Sequence, residues 1–132
     1  MKFQPANKES GVTMIEILVV LAILAVLVAI AVPSYLAQRK SSYEVSLKAD
    51  LSTVAYAMED DKSFTGKYPT VTPTTLKSVL NVDIKPESMI QIFPATAANG
   101  NKPCVEGYHK GNPSEYWHVS LKDRKVLTGH CG

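Results

Sequence analysis

The chain has 132 residues, with 14 Lys and Arg against 12 Asp and Glu, and a formal net charge of +2. That length holds one domain plus a targeting segment at most. The near-neutral balance is too small to make a nucleic acid or an anionic lipid surface the main partner.

Residues 1–11 are polar, with Lys2 and Lys8 against Glu9, and read as a short hydrophilic leader. Residues 12–32 then run through Val, Ile, Leu and Ala almost without a break. As a helix they would reach about 31 Å, which matches the hydrocarbon thickness of a bilayer. One carboxylate, Glu16, lies inside this run. A charged side chain at the bilayer centre costs about 2.5–3.5 kcal/mol even on the lenient insertion scale. Glu16 sits near one end, where the cost is lower, yet the segment supplies no cation to pair with it. The natural partner is a positive group on another chain, so the segment reads as one that assembles.

Three readings of this segment compete. A secretory signal peptide would use Ala29-Ile30-Ala31 as a small-residue cleavage motif, but the apolar run is long for such a signal and a carboxylate inside it is unusual. A plain single-span anchor explains the length and leaves Glu16 unexplained. In the third, the run Gly11-Val12-Thr13-Met14-Ile15-Glu16 resembles the processing site of the type IV pilin family and its relatives, the pseudopilins. The family pattern is a leader ending in Gly, then a hydrophobic residue, Thr, two apolar residues and Glu, followed by a long apolar helix.

The resemblance implies cleavage by a prepilin peptidase between Gly11 and Val12 on the cytoplasmic side, and N-methylation of the new Val12 amine. The apolar run stays on the mature protein. Pro33 then falls at the twenty-second mature position, where many type IV pilins carry a helix-bending proline. The chain departs from the family at Val12, most often Phe there, and in a leader whose net charge is only +1. The resemblance also implies that Glu16 of one subunit neutralises the N-terminus of a neighbour. A buried ion pair is a poor source of net stability but a good device for register, because a mispaired subunit buries a bare charge. The alternative for Glu16 is a side chain that snorkels to the headgroups.

Proline lacks the amide donor and crowds the preceding turn, so Pro33 predicts a bend, with the helix continuing to about residue 62. Leu36, Tyr43, Leu47, Leu51, Val54 and Met58 recur at spacings of seven, four, four, three and four, one face of a helix. This stripe reads as core packing. The opposite face carries Gln38, Arg39, Ser42, Ser46, Asp50 and Ser52. Glu59-Asp60-Asp61 and then Gly66 mark the helix end, the acidic trio reading as a solvated charge run. Gly66-Lys67-Tyr68-Pro69 opens a loop whose aromatic can pack back on the helix. A Tyr-Pro pair here also resembles the family.

Leu76, Val79 and Leu80 predict a short helical turn after Thr72–Thr75. Residues 89–93, 104–108, 116–121 and 126–128 read as short strands. Asn99-Gly100-Asn101, Gly111-Asn112-Pro113 and Lys122-Asp123-Arg124-Lys125 read as the connections between them. The fold class is α+β: a long N-terminal helix whose C-terminal half packs on a small antiparallel sheet. The resemblance implies the pilin fold, with residues 33–132 as its globular part.

In an exported protein the two cysteines, Cys104 and Cys131, read first as a disulfide, worth about 3.5 kcal/mol in the chain-entropy model. A disulfide bounding the C-terminal region is usual in the family. His109, His118 and His130 match no zinc spacing, so no metal or cofactor is expected. With no phosphate loop or nucleophile elbow, neither is an enzyme. Lys102, Lys110, Lys122, Arg124 and Lys125, against Glu106, Glu115 and Asp123, read as a solvated strand surface. A DNA-contacting patch is the second reading.

The expectation is a structural subunit of a type IV pilus. It would be held in the cytoplasmic membrane by residues 12–32 before assembly and extracellular afterwards. Its partners would be its own copies, the prepilin peptidase and, indirectly, the assembly platform and ATPases. A pseudopilin of a type II secretion or competence DNA-uptake machine is the rival in the same class. A membrane-anchored or secreted binding domain is the rival in another.

Overall fold

The computed structural model describes residues 11–96 and 100–131. Of the leader, only Gly11 falls among them, and Asn99 of the expected turn lies outside. The elements run α1 (Met14–Thr65), α2 (Leu76–Leu80), β1 (Ser88–Thr96), β2 (Lys102–His109), β3 (Asn112–Ser120) and β4 (Val126–Thr128). The chain divides into two compact units, residues 1–37 and 38–132, and α1 contributes to both.

In the first unit α1 is the only regular element among the described residues, and none of its large apolar side chains there is buried. Large apolar side chains from Val12 to Val32 are all about half exposed or more, from Val32 at 49% to Met14 at 85%. Among the described residues, α1 is the one helix long and apolar enough to cross a membrane. It runs through Pro33 without ending. Proline has no amide to give the carbonyl four residues back, and next to it the Ser34 hydroxyl donates to the Ile30 carbonyl at 3.4 Å.

The second unit holds the core. Its sheet has the order β1-β2-β3-β4 with antiparallel pairs throughout. Leu47, Leu51, Val54 and Met58 of α1 pack with Ile90, Val105, Val119 and Leu121, and Val71, Leu76 and Val82 close the cluster. The expected stripe is therefore the core face from Leu47 onward. Tyr43 is only half-buried, and Leu36, in the first unit, is exposed. Asp50, expected on the polar face, is buried because its neighbours Leu47, Leu51 and Val54 are. A buried carboxylate needs a donor, and the Ser88 hydroxyl supplies one.

α1 ends three residues beyond the expected 62. Ser63, Phe64 and Thr65 extend it until Gly66, at φ 77°, takes the left-handed conformation and donates its amide to the Lys62 carbonyl at 2.8 Å. The β2–β3 turn is tighter than expected, since Asn112 and Pro113 already belong to β3. β4 pairs only with residues 117–119 of β3, so Pro113 removes no donor that β4 needs. Gly111 is required there: a Cβ on it would lie 2.5 Å from the Tyr43 ring, which itself stacks on His109 at 4.3 Å between centroids.

Candidate assembly site

Glu16 is the third residue of α1, and Thr13 stands immediately before the helix. The Glu16 carboxylate accepts the Thr13 amide at 2.8 Å and the Thr13 hydroxyl at 2.9 Å. The Glu16 amide faces the Thr13 hydroxyl oxygen at 3.4 Å and donates to the Thr13 carbonyl at 3.1 Å. This is a capping box, in which two otherwise orphaned amides at a helix start are satisfied reciprocally. It fixes where α1 begins and leaves Gly11 and Val12 outside the helix. The role of Thr13 was readable from Thr-x-x-Glu ahead of an apolar run, a signal the pilin-like pattern had masked.

The second expected feature lies in the other unit. Cys104 and Cys131 form a disulfide with their Cα atoms 6.1 Å apart, joining β2 to the segment after β4.

Residues 6–32 match the family model of the prokaryotic N-terminal methylation motif. The chain is 29% identical over 120 residues to the type IV wide pilus major component PilA4 of Thermus thermophilus, covering 88% of this chain and 84% of that protein. It is 30% identical over 111 residues to the type II secretion system core protein G of Escherichia coli, covering 84% of this chain and 68% of that one. The chain belongs to the type IV pilin family. No solved structure is a significant match to it.

Other residues of this pilin that drew attention in the sequence have assigned contacts. Tyr68 packs back on α1 as expected: its hydroxyl donates to Glu59 at 2.7 Å and accepts from Lys62 at 3.2 Å. Burial pushes the Tyr68 phenol above its ordinary value, and the Glu59 bond adds to it. Glu59 also faces Arg124 at 4.0 Å, so one member of the acidic trio is engaged within the fold. The histidines serve separate contacts, His109 on Tyr43, His118 at the Gly129 carbonyl and His130 at Glu106. Among the described residues no group of three or more metal-binding side chains occurs.

The antiparallel order brings Lys102, Lys122, Arg124 and Lys125 to one end of the sheet and leaves Lys110 in the turn at the other. Lys102 donates to the Leu121 carbonyl at 3.4 Å, and Arg124 faces Glu59 as an ion pair at 4.0 Å. Lys40 of α1 pairs with Glu115 of β3 at 3.0 Å. The hydrogen bond to Lys40 holds the Glu115 carboxyl below the usual carboxylate range, and the same bond raises the Lys40 ammonium.

Proposed function

We propose that this pilin is a structural subunit of a type IV pilus, polymerising into a helical surface filament through residues 12–32. The observation that carries the reading is a carboxylate near the start of an otherwise apolar stretch, residues 12–32, whose large apolar side chains are all exposed. So large an apolar surface has to be covered, by lipid before assembly and by other copies afterwards.

In this reading a prepilin peptidase cuts between Gly11 and Val12, where the chain is outside the helix, and Val12 becomes the methylated N-terminus. The cut creates an α-amine that is positive near neutral pH. Before assembly the Thr13 amide and hydroxyl satisfy the Glu16 carboxylate, so it enters the membrane already hydrogen-bonded. During assembly the same carboxylate meets the Val12 amine of a neighbour. In this reading Pro33, inside α1, is the helix-bending proline. Motive force comes from partner ATPases through the assembly platform. The subunit resides in the cytoplasmic membrane and then in the extracellular filament.

A pseudopilin role is the second reading, favoured by the similarity to the type II secretion core protein. Deletion of the chain in its host separates the two. Loss of filaments from the sheared surface fraction supports the pilus. Intact surface filaments together with loss of exoprotein secretion overturn it in favour of the pseudopilus.

A further inference from the structure

The segment after β4 is held to the sheet by more than its disulfide. Gly129, at φ 102°, turns the chain, its amide donating to the Tyr116 carbonyl at 2.8 Å. The Gly129 carbonyl lies 3.1 Å from His118 Nδ1, so the tail is anchored on β3 at two points. His130 then rests on the Tyr116 ring, with centroids 4.2 Å apart. Glu106 receives the end of the tail: Oε2 accepts the Cys131 amide at 2.7 Å, and Oε1 lies 3.3 Å from His130 Nδ1.

Glu106 is 5% exposed and stands two residues from Cys104 in β2. Strand alternation puts the two side chains on one face of the sheet. A carboxylate buried in a strand is costly unless its oxygens are bonded, and the tail supplies partners for both. Amide bonds to a carboxylate are charge-assisted and stronger than neutral ones.

We propose that Glu106 is the docking post that presents Cys131 to Cys104, latching the C-terminal tail onto β2 before the disulfide closes and independently of it. Glu106 is a positioning residue and takes no part in the exchange chemistry. A small disulfide such as oxidised glutathione supplies the oxidant. One protein thiolate attacks a glutathione sulfur, forming a mixed disulfide and releasing one glutathione thiolate. The other protein thiolate then attacks the protein sulfur of that mixed disulfide, closes Cys104–Cys131 and releases the second glutathione. Two electrons pass to glutathione, and the protons of both protein thiols leave with them. The closing step depends on how long Cys131 dwells beside Cys104, which the latch sets.

The test uses the full chain in mild detergent, equilibrated in glutathione redox buffers and scored by thiol alkylation and intact mass. Glu106→Ala lowers the effective concentration of the two thiols about tenfold, raising the reduction potential by about 30 mV for this two-electron couple. Glu106→Gln, which keeps an acceptor and loses the charge, falls between the two. Equilibria for Glu106→Ala within twofold of the natural chain overturn the proposal.

A second measurement stands even if that variant fails to fold. With Cys104→Ser and Cys131→Ser combined and Glu106 intact, the amide of residue 131 stays protected from hydrogen exchange at least about tenfold. Exchange at the rate of a free peptide shows that the disulfide alone holds the tail, and overturns the latch.

Discussion

Glu16 caps α1 and, on the proposed function, also pairs with a neighbouring subunit, and one substitution can separate the two. In the single chain it completes the capping box with Thr13, through contacts of 2.8 and 2.9 Å. In the assembled filament, on the proposed function, it neutralises a neighbour's Val12 amine. Glutamine at this position of a helix start still completes a capping box, whereas alanine does not. Glu16→Gln therefore keeps the start of α1 and removes only the charge, while Glu16→Ala removes both. Loss of a cap weakens a helix start about fivefold in equilibrium terms. Loss of one member of a buried ion pair leaves the other bare, which costs association on the order of 100- to 1000-fold per site. The charge term is the larger by at least an order of magnitude, so both variants fail to assemble. The assay expresses each variant as the only pilin and compares subunit in the membrane fraction with filaments in the sheared surface fraction. The expected result is near-normal membrane accumulation of Glu16→Gln with no filaments. Normal filaments from Glu16→Gln, with none from Glu16→Ala, would assign Glu16 to capping alone and refute the ion pair.

Three further predictions concern the globular unit. Leu51 is fully buried at the centre of the core, so Leu51→Ala lowers unfolding stability by about 3–5 kcal/mol, read by denaturant titration of the full chain in detergent. Gly111→Ala puts a Cβ 2.5 Å from the Tyr43 ring and destabilises by about 1–3 kcal/mol, with loss of the Tyr43–His109 stack in NMR chemical shifts. Lys40 lowers the Glu115 carboxyl and is itself raised. The pair's contribution is thus complete at neutral pH. It is lost as pH falls below the usual carboxylate range through the depressed Glu115 value, and again as pH rises past the usual lysine range. Glu115→Gln removes that acid-side loss in a pH series of melting curves, and an unchanged acid limb would contradict the pairing.

The parts of the fold legible in the sequence were those where one residue type satisfies one strong local demand. Gly66 can take the left-handed conformation that ends α1, and Tyr68-Pro69 folds the loop back on it. The four strands follow from short runs of apolar and aromatic residues between turn signals, and the second half of α1 from its stripe. The misses came where tertiary contacts decide. Asp50 is polar by type and buried by its position beside Leu47, Leu51 and Val54, and a serine thirty-eight residues away supplies its donor. Pro113 joins β3 because β4 is too short to reach it. Thr13 was visible as part of a processing pattern, which concealed its role in the helix start. The clamp of Glu106 on the tail could not be read at all, since a lone acid in a strand of the sequence reads as a solvated side chain.

On the proposed function this pilin is cut after Gly11, keeps its apolar helix and enters a filament. The most direct test is the N-terminus and intact mass of the protein in sheared surface filaments from its own host. The expected chain begins at Val12, carries one added methyl and lacks two protons for Cys104–Cys131. A chain beginning at Val32 would make this a secreted domain and overturn the filament role, as would an intact Met1 start in protein confined to the membrane.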